Sequence, residues 1–204
     1  MKIFKILPVL IILLNLSTSA KKNDSIGLAQ QNYPISIISI EPSIGLKPSP
    51  MSDLIISNLV QWNLMKRLSI VSHTSYSFNN VFLREFNYVE TDYNYSLGQK
   101  FGIGTSLYSN RSSHTFSLMA GIKYDSYKET LANPEFEKVS ASANSLSPDF
   151  GLLYNLKKGK KKYYFSFSMY LPLYPYPMIS LDTYSLSGNL ANISMEFGVG
   201  IRLK

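Results

Sequence analysis

The sequence predicts an all-β fold, an eight-stranded antiparallel up-and-down transmembrane β-barrel. Three observations predict it: eight segments alternate apolar and polar residues, their connections are alternately short and long, and an export signal precedes them. A period of two places successive side chains on opposite faces of a strand. Charged or strongly polar residues interrupt every later apolar run, so no further segment could span a membrane as a helix. Because only helices and closed barrels satisfy their backbone groups in hydrocarbon, an integral protein with this sequence must be a barrel.

The last segment, residues 193–203, carries the clearest pattern. Its odd positions are apolar and its even positions are polar or glycine. The apolar face consists of Ile193, Met195, Phe197, Val199, Ile201 and Leu203, and the other face of Ser194, Glu196, Gly198, Gly200 and Arg202. This arrangement is typical of a strand with lipid outside and packed polar groups inside.

Residues 1–20 are predicted to be a cleaved signal peptide. A basic start with Lys2 and Lys5 precedes an apolar run from Ile6 to Leu16 and a small-residue stretch that ends at Ala20. The run of about 11 residues is too short to span a bilayer core, which needs about 20. The mature chain then divides into a flexible leader, residues 21–37, and a barrel domain, residues 38–204.

Composition excludes several kinds of site. The chain has no cysteine, which excludes disulfides and thiolate metal sites, and its two histidines are far apart in sequence, so no metal or cofactor is expected. The net charge is +7, or +5 once Lys2 and Lys5 leave with the signal. Export and the clustering of these charges argue against a nucleic-acid partner.

The first three strands are predicted at residues 38–47, 55–64 and 68–78. In the first, isoleucines alternate with small and charged residues, although Pro42 removes one ladder donor. In the second, Ile56, Val60 and Trp62 are in phase, and only three residues separate it from the third, as in a tight hairpin.

The remaining strands follow the same pattern. In the fourth strand, apolar residues alternate with glycines and Lys100. The seventh strand has aromatic residues at alternate positions and follows a turn rich in lysine. Their predicted ranges are 95–108, 114–125, 146–156, 163–173 and 193–203.

Connection length and charge distinguish the two ends of the barrel. The short turns contain only basic charges: Lys66, Arg67, Arg111, Lys157, Lys158, Lys160, Lys161 and Lys162. The long connections, residues 79–94, 128–144 and 174–190, contain seven acids against three bases, a balance of −4. Two explanations stay open for the basic turns: they lie against anionic lipid headgroups, or they only keep the turns soluble.

The C-terminal strand also fits an assembly signal, which reads polar, any, Gly, any, any, apolar, any, apolar. Glu196, Gly198, Ile201 and Leu203 match it in register. In this, and in its eight strands, the chain resembles the small eight-stranded outer-membrane β-barrel proteins of Gram-negative bacteria, the OmpA-like or PorT-like barrel group. The resemblance implies insertion by the barrel-assembly machinery, contact with outer-membrane lipids, periplasmic termini, and long loops outside the cell.

Charges on the polar face should pair with one another, because a barrel of this size is filled by its own side chains. Strand direction predicts Glu41–Arg202 and Lys47–Glu196 as neighbouring pairs, and Lys123 and Asp149 belong to the same set of lumen charges.

Function is less determined by the sequence. We expect a non-enzymatic barrel with a filled lumen, whose long loops bind an extracellular ligand that the sequence does not specify, or which has a structural role in the envelope. A first alternative is an enzyme: lipid A deacylases resemble this barrel in size and use a His-any-Ser pair, which His73 and Ser75 match. A second alternative is a soluble lipocalin-like barrel with its apolar face inside.

Overall fold

The computed structural model describes residues 33–47, 53–78, 85–86, 89–131, 137, 139–174, 179–180, 185–186 and 193–203. The predicted signal peptide, and the leader as far as residue 32, lie outside these residues. Eight long strands make up the structure: β1 (Ile38–Lys47), β2 (Asp53–Asn63), β3 (Leu68–Phe78), β4 (Val89–Tyr108), β5 (Ser112–Leu131), β6 (Val139–Lys158), β7 (Tyr163–Tyr174) and β8 (Ser194–Leu203). No helix among the described residues is long and apolar enough to cross a membrane.

The eight strands close into a barrel. Each strand pairs antiparallel with the next in sequence, and β8 pairs back onto β1 with Ser39 opposite Arg202 and Gly45 opposite Glu196. The predicted fold class, eight antiparallel strands in up-and-down order, is confirmed.

Pro42 lies at the seam where the barrel closes. Pairing between β1 and β8 is interrupted between Ile40–Ile201 and Ser43–Gly198, where proline offers no N–H. A Cβ atom on Gly198 would lie 2.2 Å from the Pro42 carbonyl oxygen, so the two backbones approach closely here. Glycine at position 198 therefore lets β8 pass next to the proline.

The two faces of the barrel have the orientation that the alternation predicts. Apolar side chains point outward, and Phe101, Leu118 and Ile103 are each more than half exposed. The inward positions are mostly serine, threonine and charged residues, among which Glu41 and Ser69 are fully buried.

Strands β4, β5 and β6 are longer than predicted, at 20 residues each. Since β3 pairs only with residues 95–105 of β4, and β7 only with residues 150–158 of β6, the three strands continue as a sheet past their neighbours. We call residues 89–94, 126–131 and 139–144 the projecting sheet, which extends by about 20 Å at about 3.3 Å per residue.

The predicted long connections at residues 79–94 and 128–144 are therefore partly strand. The sequence analysis ended these strands earlier, and backbone pairing between the three strands defines the extensions. Polar contacts join its strands: Lys128 Nζ lies 3.3 Å from Asp92 Oδ2, and Thr130 Oγ1 lies 2.8 Å from Ser140 Oγ. Two short pairs lie in the predicted connections: Glu85–Phe86 pairs with β4, and Ile179–Ser180 with Ser185–Leu186.

Candidate functional site

Glu41 is the centre of a polar cluster inside the barrel, near the short turns. Lys157 Nζ lies 2.7 Å from Glu41 Oε1, Tyr164 Oη donates to the same oxygen at 2.8 Å, and Asn155 Nδ2 donates to Oε2 at 2.8 Å. Lys157 Nζ also donates to Ser39 Oγ at 2.6 Å. The buried carboxylate is thus fully surrounded by donors, which offsets its loss of water.

Arg202 closes the same end of the barrel. Its guanidinium carbon lies 4.9 Å from the ring centre of Tyr33 and 4.3 Å from that of Tyr164, so the cation contacts both rings. The guanidinium also donates to the Gly159 carbonyl at 2.8 Å. Burial raises the pKa of the Tyr33 phenol, although the neighbouring Arg202 charge acts in the opposite direction. The phenol therefore stays neutral at physiological pH.

The last residues of the predicted leader contact the barrel. The Asn63 backbone N–H donates to the Ile37 carbonyl at 2.8 Å and the Asn63 side chain to the Ser36 carbonyl at 2.7 Å. Tyr33 is only 6 % exposed. Residues 33–37 consequently lie against the barrel at the end that carries the short turns.

An apolar cluster lies inside the barrel. It consists of Leu59, Val71, Met119, Leu153 and Tyr170, all inward-facing and at most 4 % exposed. These residues come from β2, β3, β5, β6 and β7, so they meet across the lumen rather than along one wall. We call them the lumen plug, and the sequence analysis did not anticipate apolar residues at these inward positions.

Glu196 and His73 form a second buried pair. His73 Nε2 lies 3.1 Å from Glu196 Oε2, and both side chains are 1 % exposed. Three serines also donate to this carboxylate: Ser194 at 2.7 Å, Ser43 at 3.3 Å, and Ser57.

Three lysines lie further towards the projecting sheet. Lys100 Nζ is 3.1 Å from Asp149 Oδ2, Lys123 Nζ is 3.0 Å from Asp125 Oδ1, and Lys47 Nζ donates to Ser77 and Ser96 at 2.7 and 2.6 Å. They line a cavity of about 30 Å³, which has room for about two water molecules. This cavity cannot hold a larger ligand without rearrangement.

The predicted charge pairs are corrected by these contacts. Glu41 pairs with Lys157 rather than Arg202, and Glu196 pairs with His73 rather than Lys47. Lys123 and Asp149, the other two lumen charges, pair with Asp125 and Lys100. The register offsets Glu41 from Arg202, and Glu196 from Lys47, by two residues along the seam. Contacts across the narrow lumen, which strand order does not reveal, supply the partners instead.

The predicted catalytic pair is not assembled in the described structure. His73 and Ser75 both point inward on β3, but His73 Nε2 is directed at Glu196, and no hydrogen bond joins it to Ser75 among the described contacts. His73 Nδ1 is buried without a partner among the described atoms. Both side chains are buried, at 1 % and 9 % exposure.

No family model and no curated protein matches the chain. Among solved structures, the chain is similar to Ail, the attachment invasion locus protein of Yersinia pestis, in complex with the heparin analogue sucrose octasulfate, at 11% identity over 81% of this chain and 96% of that one, with a TM-score of 0.45. It is also similar to the N-terminal β-barrel domain of Pseudomonas aeruginosa OprF, at 12% identity over 82% and 98%, with a TM-score of 0.40. We draw no functional conclusion from either similarity.

Proposed function

We propose that this chain is an integral outer-membrane β-barrel protein of a Gram-negative bacterium, without enzymatic activity, that presents its projecting sheet outside the cell. The observation that carries the proposal is the apolar outer wall. Side chains such as Phe101, Ile103 and Leu118 are more than half exposed, while ionic residues within the barrel, such as Glu41, Lys157 and Glu196, are buried. Soluble monomers rarely expose continuous apolar surface on this scale, whereas a lipid bilayer covers it.

Strand length and closure support the same proposal. The shortest strands have 10 residues, which matches the 9–11 that a tilted transmembrane strand needs. Pairing of β8 with β1 leaves the barrel wall without a free edge, as hydrocarbon requires.

The orientation follows from the short turns and the termini, which share one end of the barrel. We place that end in the periplasm and the projecting sheet outside, as in the barrels that the sequence resembles. The sheet is the element suited to binding an extracellular partner, because it extends beyond the barrel wall and presents polar side chains such as Asp92 and Lys128. A purely structural role in the envelope requires no such partner. Deleting the projecting sheet distinguishes the two roles, because it should abolish partner binding but leave a structural role of the barrel intact.

Two alternatives have less support. A lipocalin-like barrel needs an apolar cavity for its ligand, whereas this lumen holds ion pairs and the lumen plug. A lipid A deacylase needs its nucleophile and base within reach of lipid, whereas His73 is 1 % exposed inside the barrel.

Membrane fractionation tests the proposal. The full chain, expressed in a Gram-negative host, should fractionate with the outer membrane, resist extraction by alkaline carbonate, and change its gel mobility on boiling. Recovery in the soluble periplasmic fraction without detergent would overturn it. External protease should cleave a site inserted between residues 132 and 138, but not a tag placed after Lys204.

A further inference from the structure

We infer that the rim formed by the three short turns is a binding surface for anionic phospholipid headgroups. This inference rests on the membrane location proposed above and adds the class of lipid and the place of contact. The rim consists of residues 64–67, 109–111 and 158–162, which connect β2 to β3, β4 to β5 and β6 to β7.

Backbone hydrogen bonds hold the three turns at the same end of the barrel. The Ser106 N–H donates to the Arg67 carbonyl at 2.8 Å, and the Gly159 N–H donates to the Arg111 carbonyl at 3.0 Å. Lys160 Nζ also donates to Asn110 Oδ1 at 2.7 Å, which joins two of the turns through side chains. Charges on these turns therefore act as one surface.

This surface is positive and uncompensated. Seven of its residues are exposed cations: Lys66, Arg67, Arg111, Lys158, Lys160, Lys161 and Lys162. Lys157 is excluded because it points into the lumen and pairs with Glu41. None of the acidic residues that the structure describes is exposed at this rim. At the opposite end, by contrast, the partly exposed Lys128 is paired with Asp92.

The position of the cations identifies the partner as a lipid. Directly beside them, Trp62 and Tyr163 point outward and are 51 % and 60 % exposed, and Lys162 Nζ lies 5.9 Å from the Tyr163 ring centre. Aromatic rings of this kind mark the level where acyl chains meet headgroups. A phospholipid can place its chains on the apolar wall and its phosphate on the cations at once. An acidic protein or a nucleic acid would leave the wall uncovered.

Trp62 provides a direct test, because it is the only tryptophan in the chain and lies beside Lys66 and Arg67. The refolded full chain is placed in phosphatidylcholine vesicles that contain brominated phosphatidylglycerol, or brominated phosphatidylcholine at the same mole fraction. Bromine quenches only nearby tryptophan. Each well-placed cation can raise the local preference for an anionic lipid by up to about fivefold. Averaged over all the lipids near Trp62, the anionic lipid should therefore be enriched by at least about twofold. High salt should reduce the enrichment.

Substitutions distinguish binding of anionic lipid at the rim from a general attraction of anionic lipid to the basic protein. Lys66→Gln with Arg67→Gln should abolish the preference at Trp62, and Lys128→Gln, at the other end, should leave it unchanged. A second reporter, Tyr163→Trp in a Trp62→Phe background, should lose its preference with Lys160→Gln, Lys161→Gln and Lys162→Gln. Equal quenching by both lipids in the unsubstituted chain would overturn the inference. Quenching by neither would instead show that the barrel does not insert, which contradicts the proposed function itself.

Discussion

Glu41 and Lys157 form an ion pair of 2.7 Å across the lumen, although β8 and β7 separate their strands around the barrel wall. Both side chains are buried, at 1 % and 6 % exposure. Such a contact is possible because an eight-stranded barrel is narrow enough for opposite walls to touch. The pair joins the first strand to the sixth, so it supports the closed barrel independently of the hydrogen bonds between neighbouring strands.

Replacing Lys157 with methionine should destabilise the barrel by about 3–5 kcal/mol, because the Glu41 carboxylate then stays buried without its cation. Urea unfolding in lipid vesicles measures this loss. Lys158→Met is the matched control, since its side chain is exposed and the change should stay within about 0.5 kcal/mol. Adding Glu41→Gln to Lys157→Met should recover part of the stability. Equal stabilities for the two single variants would contradict the role of the pair.

Strand number, face orientation and the location of the tight turns were predictable because each depends on local alternation. Phe101 and Leu118 point outward simply because their strands have one apolar face. The predicted register between β1 and β8 was also within two residues of the observed one, since it followed from strand direction. Partners across the lumen were not predictable, because Lys157 meets Glu41 only after the barrel has its particular stagger. The pattern assigned Lys157 to a turn, although its inward phase, shared with Asn155, was a usable signal.

The lumen plug predicts that the barrel does not conduct ions. Reconstituted in planar bilayers, the unsubstituted chain should show no steady conductance, because Leu59, Met119 and Leu153 meet across the lumen. Truncating all three to alanine should produce small conductance events, since the side chains that exclude water are then gone. Leu118→Ala, on the outer wall, is the control and should not conduct. A stable conductance in the unsubstituted chain would show that the plug is not closed.

An arginine on the outer wall tests which solvent surrounds it. Leu118 lies near the middle of the barrel wall and is 58 % exposed, so Leu118→Arg should cost about 2–4 kcal/mol in a bilayer. Leu146→Arg, closer to the projecting sheet, should cost about 0–1 kcal/mol. Vesicle unfolding experiments compare the two. In a soluble barrel neither substitution would be costly, so similar stabilities would contradict the membrane assignment.

We predict that the pair formed by His73 and Glu196 contributes to the stability of the barrel and has no catalytic role. His73→Ala should lower stability by about 1–3 kcal/mol, because the buried Glu196 loses one of its hydrogen-bond partners. Ser75→Ala should cost about 1 kcal/mol or less. Lipid A mass spectra of cells that express either variant should match those of cells that express the unsubstituted protein. Loss of an acyl chain that depends on His73 and Ser75 would support the deacylase alternative instead.

Gly198 belongs both to the closing seam and to the predicted assembly signal, and a substitution at this position can show which of the two requires glycine. A Cβ atom at this position meets the Pro42 carbonyl oxygen at 2.2 Å, and backbone cannot move aside cheaply, so Gly198→Ala should destabilise the barrel even when it refolds in vitro. Gly98→Ala is the control: its nearest atoms are Ser75 Oγ at 2.9 Å and Lys100 Nζ at 3.2 Å, the ends of side chains that can rotate. If Gly198→Ala were as stable as the unsubstituted chain in vitro but failed to insert in cells, the glycine would serve recognition. If both stability and insertion fall together, as we expect, the closing seam itself requires it.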